Sequence, residues 1–198
     1  MQRVLFYIKC LLASPLYFLF LLKNKNNILA EELSQWENTL IVIKHNSRFI
    51  AFIRMFALFR EYRNLFLFRI GELGFLLKYF IPCISNLYFV TKPEKIGKGL
   101  VIQHGHSTII WPESLGKNCQ IWQNVTIGRA RHGEGRPIIG NNVKICTGAI
   151  VLGNIIIGDN VTIGAGSIVV KNIPANAVVC GNPARIIKLN NKRVDNIQ

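Results

Sequence analysis

Two short stretches of this 198-residue chain bring together side chains that could do chemistry. The first, Gln103-His104-Gly105-His106-Ser107-Thr108, holds two imidazoles beside a glycine. A neutral imidazole, with an unperturbed pKa near 6.5, takes a proton at physiological pH, which suits it to activate an alcohol or a water. The second, Arg129-Ala130-Arg131-His132-Gly133-Glu134-Gly135-Arg136-Pro137, mixes cations, an imidazole and a carboxylate in a stretch with no central aliphatic residue. Such a segment reads as a polar loop that can hydrogen-bond a polar ligand. A lone histidine is usually structural. His104, beside Gly105 where the pattern around it breaks and near the second stretch, is better placed for chemistry than such a lone residue.

That pattern is a bulky aliphatic residue at every sixth position. Ile139, Ile145, Val151, Ile157, Ile163 and Val169 form one series; Ile109, Leu115, Ile121 and Ile127 form another in the same frame. Ile96 and Ile102 share the period, but the step from Ile102 to Ile109 is seven, which implies one inserted residue at the histidines. A helix of 3.6 residues per turn cannot hold a six-residue repeat on one face, whereas short strands joined by tight corners can. Gly97, Gly116, Gly128, Gly140, Gly158 and Gly164 follow the aliphatic residue, with Asn118, Asn142 and Asn160 two further on, residue types that accept corner backbone. Val125, Val143, Ala149, Ile155, Val161 and Ser167 supply the small interior groups. The fold class is mainly β: a left-handed parallel β-helix, three hexapeptides per coil and four to five coils long, preceded by an α-helical segment. We divide the chain into helices over 1–90, the solenoid over 91–188 and a polar tail over 189–198.

The amino-terminal part is dense in Phe, Leu and Ile. The clean apolar run of 10–22 is shorter than the roughly twenty residues a spanning helix needs, and Pro15 splits it. It reads either as a helix lying in a membrane interface or as one buried in an oligomer contact. Helices follow over 31–44 and 47–80, ending at Pro82. Arg54, Arg60, Arg63 and Arg69 read as a charged face, with Glu61 able to pair within the helix. The net charge of +14 suits an anionic membrane, a phosphorylated cofactor or an acidic polysaccharide; no nucleic-acid motif accompanies it, so nucleic acid is not expected. Five cysteines without CxxC spacing read as free thiols of a reduced, cytoplasmic protein, with peripheral contact at the inner face of the cytoplasmic membrane as the membrane reading would have it.

Ile96-Gly97-x-Gly99-Leu100-x-Ile102-x-His104, Gln123-Asn124-Val125-Thr126-Ile127-Gly128, Gly148-Ala149-x-Val151-Leu152-Gly153-Asn154-Ile155-x-Ile157-Gly158, Ile163-Gly164-Ala165-Gly166-Ser167-Ile168-Val169 and Gly181-Asn182-Pro183-Ala184-Arg185 together resemble the hexapeptide-repeat acyltransferases. Within them the chain is most similar to the serine acetyltransferase-like branch, including its polysaccharide-modifying members. The resemblance spans about half the chain, with a weaker echo at Phe59-Arg60-Glu61-Tyr62-Arg63-Asn64-Leu65. It implies acetyl transfer from acetyl-CoA to a hydroxyl within a homotrimer, with His104 as general base and no metal; the amino-terminal helices could build a higher assembly. The matching cofactor positions are Gly128, Thr147, Gly148, Ala165 and Gly166, with Lys171, Arg185 and Lys188 as candidates for the CoA phosphates.

The chain also departs from that branch. Gln103 stands where an aspartate precedes the catalytic histidine, Phe89 falls where an orienting aspartate would lie, and Arg136 replaces a second histidine that His132 matches only loosely. Acceptor-binding candidates are therefore Gln103, His106, His132, Glu134 and Arg136. A neutral Gln103 bridges vicinal hydroxyls more readily than it holds the ammonium of an amino acid, which favours a sugar hydroxyl in surface polysaccharide synthesis over serine. Trp111 and Trp122 read as sugar-stacking or oligomer contacts. Two further classes stay open: a zinc hydratase of the γ-carbonic-anhydrase type using His104, His106 and His132, and a non-catalytic scaffold.

Overall fold

The computed structural model describes residues 2–40 and 47–194. The chain divides into two compact units, Met1–Ile84 and Ser85–Gln198, so the change from helix to coil comes a few residues before the expected boundary at residue 90.

The first unit contains helices α1 (Gln2–Lys23), α2 (Ile28–Thr39), α3 (Arg48–Leu58), α4 (Arg60–Arg69) and α5 (Glu72–Leu77). The end of the predicted 31–44 helix lies outside the described residues. The predicted 47–80 helix is three, broken where Phe59 turns extended and where Gly71 takes a positive φ. Pro15 does not divide α1. A proline cannot donate to the carbonyl four residues back, and here the hydroxyl of Ser14 donates to the Leu11 carbonyl instead, at 2.8 Å. Trp36, Phe20, Phe52, Phe66 and Met55 are fully buried, with Phe52 between Phe20 (5.1 Å) and Phe66 (5.4 Å).

Two of the arginines read as a charged face are inside this core. Arg63 is 7% exposed and donates from Nε to the Phe56 carbonyl (2.6 Å), from Nη2 to that of Ala57 (2.8 Å) and from Nη1 to that of Pro82 (2.8 Å). It thereby caps the carboxyl end of α3, whose last carbonyls have no helical donor. Arg69 donates through Nε to Glu32 Oε1 at 2.9 Å, with both side chains almost wholly buried. A carboxylate that receives Arg69 is therefore on α2, a different helix.

The second unit is a left-handed parallel β-helix. Its strands stack into a five-stranded sheet (Leu87–Phe89, Thr108–Ile110, Thr126–Gly128, Ile150–Leu152, Ile168–Val169), a three-stranded sheet, and a seven-stranded sheet running from Val101–Ile102 through Gln120–Ile121, Lys144–Ile145, Thr162–Ile163 and Ala177–Cys180 to Arg185–Leu189 and Lys192–Arg193. Ile145 pairs with Ile163 and Val151 with Val169, three hexapeptides on, as the repeat requires. The last two strands pair antiparallel, so ordered sheet continues past residue 188 into what the sequence suggested was tail.

The corners explain the Gly and Asn spacing. A Cβ on Gly97 would lie 2.5 Å from the Gly116 backbone, and one on Gly116 would lie 2.4 Å from Gly140, so only glycine lets these coils stack. Asn142, Asn160 and Asn176 all take positive φ and join side chain to side chain at 2.9 Å, an amide ladder up one edge. Cys119 is wholly buried, and burial pushes its thiol up to about 12; Cys146 and Cys180 are only half-buried.

The frame at the histidines differs from expectation. Ile109, taken as an interior residue, is 38% exposed, while Ile110 is fully buried and pairs with Ile127. Two residues, not one, are therefore inserted after Ile102, and one is dropped before Leu115, where Pro112 is buried. Neighbouring residues of a strand face opposite sides, so this shift decides which side chain enters the core.

Candidate active site

The inserted residues form a bend whose shape is set by hydrogen bonds rather than by packing. His104 and Ser107 both hold left-handed backbone, at φ 60 and φ 52. Such backbone costs a non-glycine residue on the order of 1–2 kcal/mol and persists only when neighbours fix it. Here the His106 carbonyl accepts from the Asn124 amide (2.8 Å) and the Thr108 hydroxyl (3.1 Å), while the His106 amide donates to the His104 carbonyl. Below, the Asn86 carbonyl accepts from the Thr108 amide (3.1 Å) and the Asn86 side chain donates to Ser107 Oγ (3.2 Å). Gly105 is buried beneath the bend, and His104 and His106 are exposed above it.

From the bend a column of tight turns climbs one edge. Gly148 donates to the Gln123 carbonyl (3.0 Å) and Gly166 to that of Thr147 (2.9 Å), so His106, Gln123, Thr147 and Ala165 follow one another coil by coil. Gly148 and Gly166 hold φ 70 and φ 67, and a Cβ on Gly166 would meet nothing within 4 Å. The turn is thus glycine for its backbone, and the space beside it is open. Gln123 Oε1 is buried in this column without a hydrogen-bond partner. At its upper end Ile168 donates to the Gly181 carbonyl (3.0 Å), and Arg185 lies opposite Cys180. Lys188 lies opposite Val178, exposed.

The 129–137 loop leaves from the other end of the same five-stranded sheet. Trp111 follows Ile110 and packs over Gly128, where an added Cβ would sit 3.6 Å from its ring. Arg129 and Arg136 lie on that indole, 4.9 and 5.6 Å from the ring centre. Arg136 pairs with Glu113, which also accepts from Lys95 at 3.0 Å. The Arg136 hydrogen bond, then that of Lys95, holds the Glu113 carboxyl below the usual range. Arg136 thus braces the loop on its own coil. His132 and Glu134 are exposed at the loop tip, and Lys171 lies in the exposed turn above.

The predicted residues therefore fall into two groups, with Lys188 apart. Gln103, His104, His106, Thr147, Gly148, Ala165, Gly166 and Arg185 share one edge, Lys188 lies further along the last strands toward the asparagine ladder, and Gly128, His132, Glu134, Arg136 and Lys171 lie at the opposite end of the five-stranded sheet and do not meet the first group within one chain. Among the described residues no three His, Cys, Asp or Glu converge as a metal set.

Residues 136–171 match the family model described as bacterial transferase hexapeptide (six repeats). Over 103 residues the chain is 45% identical to a serine acetyltransferase of Staphylococcus aureus, strain Mu50, covering 50% of this chain and 48% of that protein. Over half its length this chain is thus similar to hexapeptide-repeat transferases of the serine acetyltransferase-like branch. A serine acetyltransferase of Synechococcus elongatus is 42% identical over 104 residues, 51% of this chain and 43% of that one. The chain spans about half the length of the curated relatives it matches. The Neisseria gonorrhoeae serine acetyltransferase solved with serine superposes with a TM-score of 0.61 at 26% identity, over 83% of this chain and 71% of that one. The soybean apoenzyme, at 24% identity, shares the fold with a TM-score of 0.64, over 86% of this chain and 73% of that one.

The sequence reading gave no site role to Thr108, Asn86, Asn124 or Gln123, which shape the bend and the column above it. Thr108 was legible only as a polar residue beside the break; its complete burial is a tertiary fact. Thr108→Val keeps the shape and deletes the hydroxyl bond to the His106 carbonyl, and urea unfolding should show a loss of about 1–2 kcal/mol. An unchanged midpoint would mean that the hydroxyl does not hold the bend.

Proposed function

We propose that this protein transfers the acetyl group of acetyl-CoA to a hydroxyl. The observation that carries this reading is the exposed His104 imidazole at the foot of an open column of small, tightly turned residues, on a coil similar to those of the serine acetyltransferase-like branch. The Thr147-Gly148 and Ala165-Gly166 turns suit a slender pantetheine arm, and Arg185 and Lys188 suit its phosphates. His104 takes the hydroxyl proton as the oxygen attacks the thioester carbonyl. The tetrahedral intermediate then collapses, the C–S bond breaks, and the imidazolium returns its proton to the departing thiolate, giving an acetyl ester and free CoA. No covalent acyl-enzyme is required. Because the loop bearing His132 and Glu134 leaves from the far end of the sheet, we assign its role to the site of a neighbouring copy in a homotrimer.

Serine is the first acceptor we propose, because the relatives matched over the coil are named for it. One observation favours a sugar hydroxyl as second reading: Gln103 is neutral, and Arg136 is already engaged by Glu113, which leaves few charges for a zwitterion. Burying an unpaired ammonium costs several kcal/mol. Acetyl-CoA turnover with serine alone, with a nucleotide-linked or lipid-linked sugar alone, and with both in competition decides between them. Serine turnover that no sugar suppresses establishes the first acceptor, and turnover with sugar alone establishes the second. Turnover with neither acceptor, with acetyl-CoA still bound, would leave the coil a scaffold.

A further inference from the structure

The outer face of α1 is built of the wrong residues for water. Leu11, Phe18 and Leu22 are 74%, 64% and 61% exposed, and Pro15 between them is exposed as well, so positions four, three and four apart make one apolar stripe. The opposite face, at Ala13 and Phe20, is the buried one. Leu21 adds to the stripe at 51%, and the first turn of α3 adds Phe49 and Ile50 at 43% and 46%, Phe49 lying 5.0 Å from Tyr17 of α1. A contiguous exposed patch of this kind marks a docking surface.

The charges beside it say what docks. Lys23 and Lys25 follow the stripe and Arg48 precedes Phe49, all exposed, while no acidic residue occurs in the sequence before Glu31. Among the described residues no helix is long and apolar enough to cross a membrane. A helix with an apolar outer face and cations at its flank lies in the headgroup region, its leucines and phenylalanines among the acyl chains and its lysines among anionic headgroups. Self-association suits the face poorly, since the stripe carries no acid to receive the lysines of a second copy. We infer that the helical unit docks on an anionic membrane surface through Leu11, Phe18, Leu21, Leu22, Phe49 and Ile50. The coil would then work beside the membrane, independently of which hydroxyl it acetylates.

The full-length protein is to be sedimented with vesicles of phosphatidylcholine alone and with phosphatidylserine added. Binding is expected to the anionic vesicles, to weaken with salt, and to fall about tenfold or more for Phe18→Ser/Leu22→Ser. The native mass by light scattering should stay unchanged in that variant. Lys23→Glu/Lys25→Glu should weaken binding to anionic vesicles alone. Leu11→Ser, at the most exposed position, serves where the double variant does not fold. Failure of the native protein to bind either vesicle, or binding unaltered in the stripe variants, overturns the inference. A stripe variant that loses native mass while its vesicle binding persists would assign the face to a second copy instead.

Discussion

His104→Asn is expected to lower turnover by about a hundredfold to ten-thousandfold, the usual worth of a general base, while acetyl-CoA affinity changes little. Asparagine is the variant of choice because His104 sits at φ 60, a backbone that asparagine adopts with less strain than alanine. His104→Ala would mix the loss of the imidazole with a loosened bend. Comparing the two separates chemistry from shape: equal losses point to the imidazole, and a much larger loss for alanine points to the backbone. His106→Ala should matter less, since the hydrogen bonds that fix the bend use the backbone of His106, which alanine retains. Near-normal turnover in His104→Asn, or a greater loss in His106→Ala, would move the base to another residue.

Glu32→Ala should cost the helical unit about 3–5 kcal/mol, because it leaves the Arg69 guanidinium buried without its carboxylate. The change is read by chemical unfolding followed through Trp36, which is fully buried on the same helix as Glu32. Replacing both partners with apolar residues of similar volume should recover most of the loss, since the desolvation of two charges disappears together with their attraction. A Glu32→Ala midpoint equal to that of the native protein would mean that water reaches Arg69 and that the pair contributes little.

Arg63 and Arg69 also show where sequence reading stops. Their spacing in the 47–80 segment fits a solvated helix face as well as a buried one, and the groups that receive them belong to other elements. The Arg69 carboxylate is on α2, and the Arg63 carbonyls are at the end of α3 and at Pro82. Nothing local marks such a partner, because burial of a charge is decided by what folds over it. The exposed stripe on α1 was half legible. Its apolar density was plain, but which face of the helix looked outward was not.

The β-helix itself was determined by the sequence alone. An aliphatic residue every sixth position, glycine after it and asparagine two beyond leave one arrangement that buries the first, stacks the second and turns at the third. His104 stood out for the same reason, as a titratable group where the repeat fails. Tertiary structure decided the register across that failure, because only pairing with the Thr126–Gly128 strand turns Ile110 inward and Ile109 out. It also decided that the histidine bend and the polar loop lie at opposite ends of one sheet. The sequence places them a coil apart without saying which corner each occupies, and the corner depends on how many residues each turn consumes.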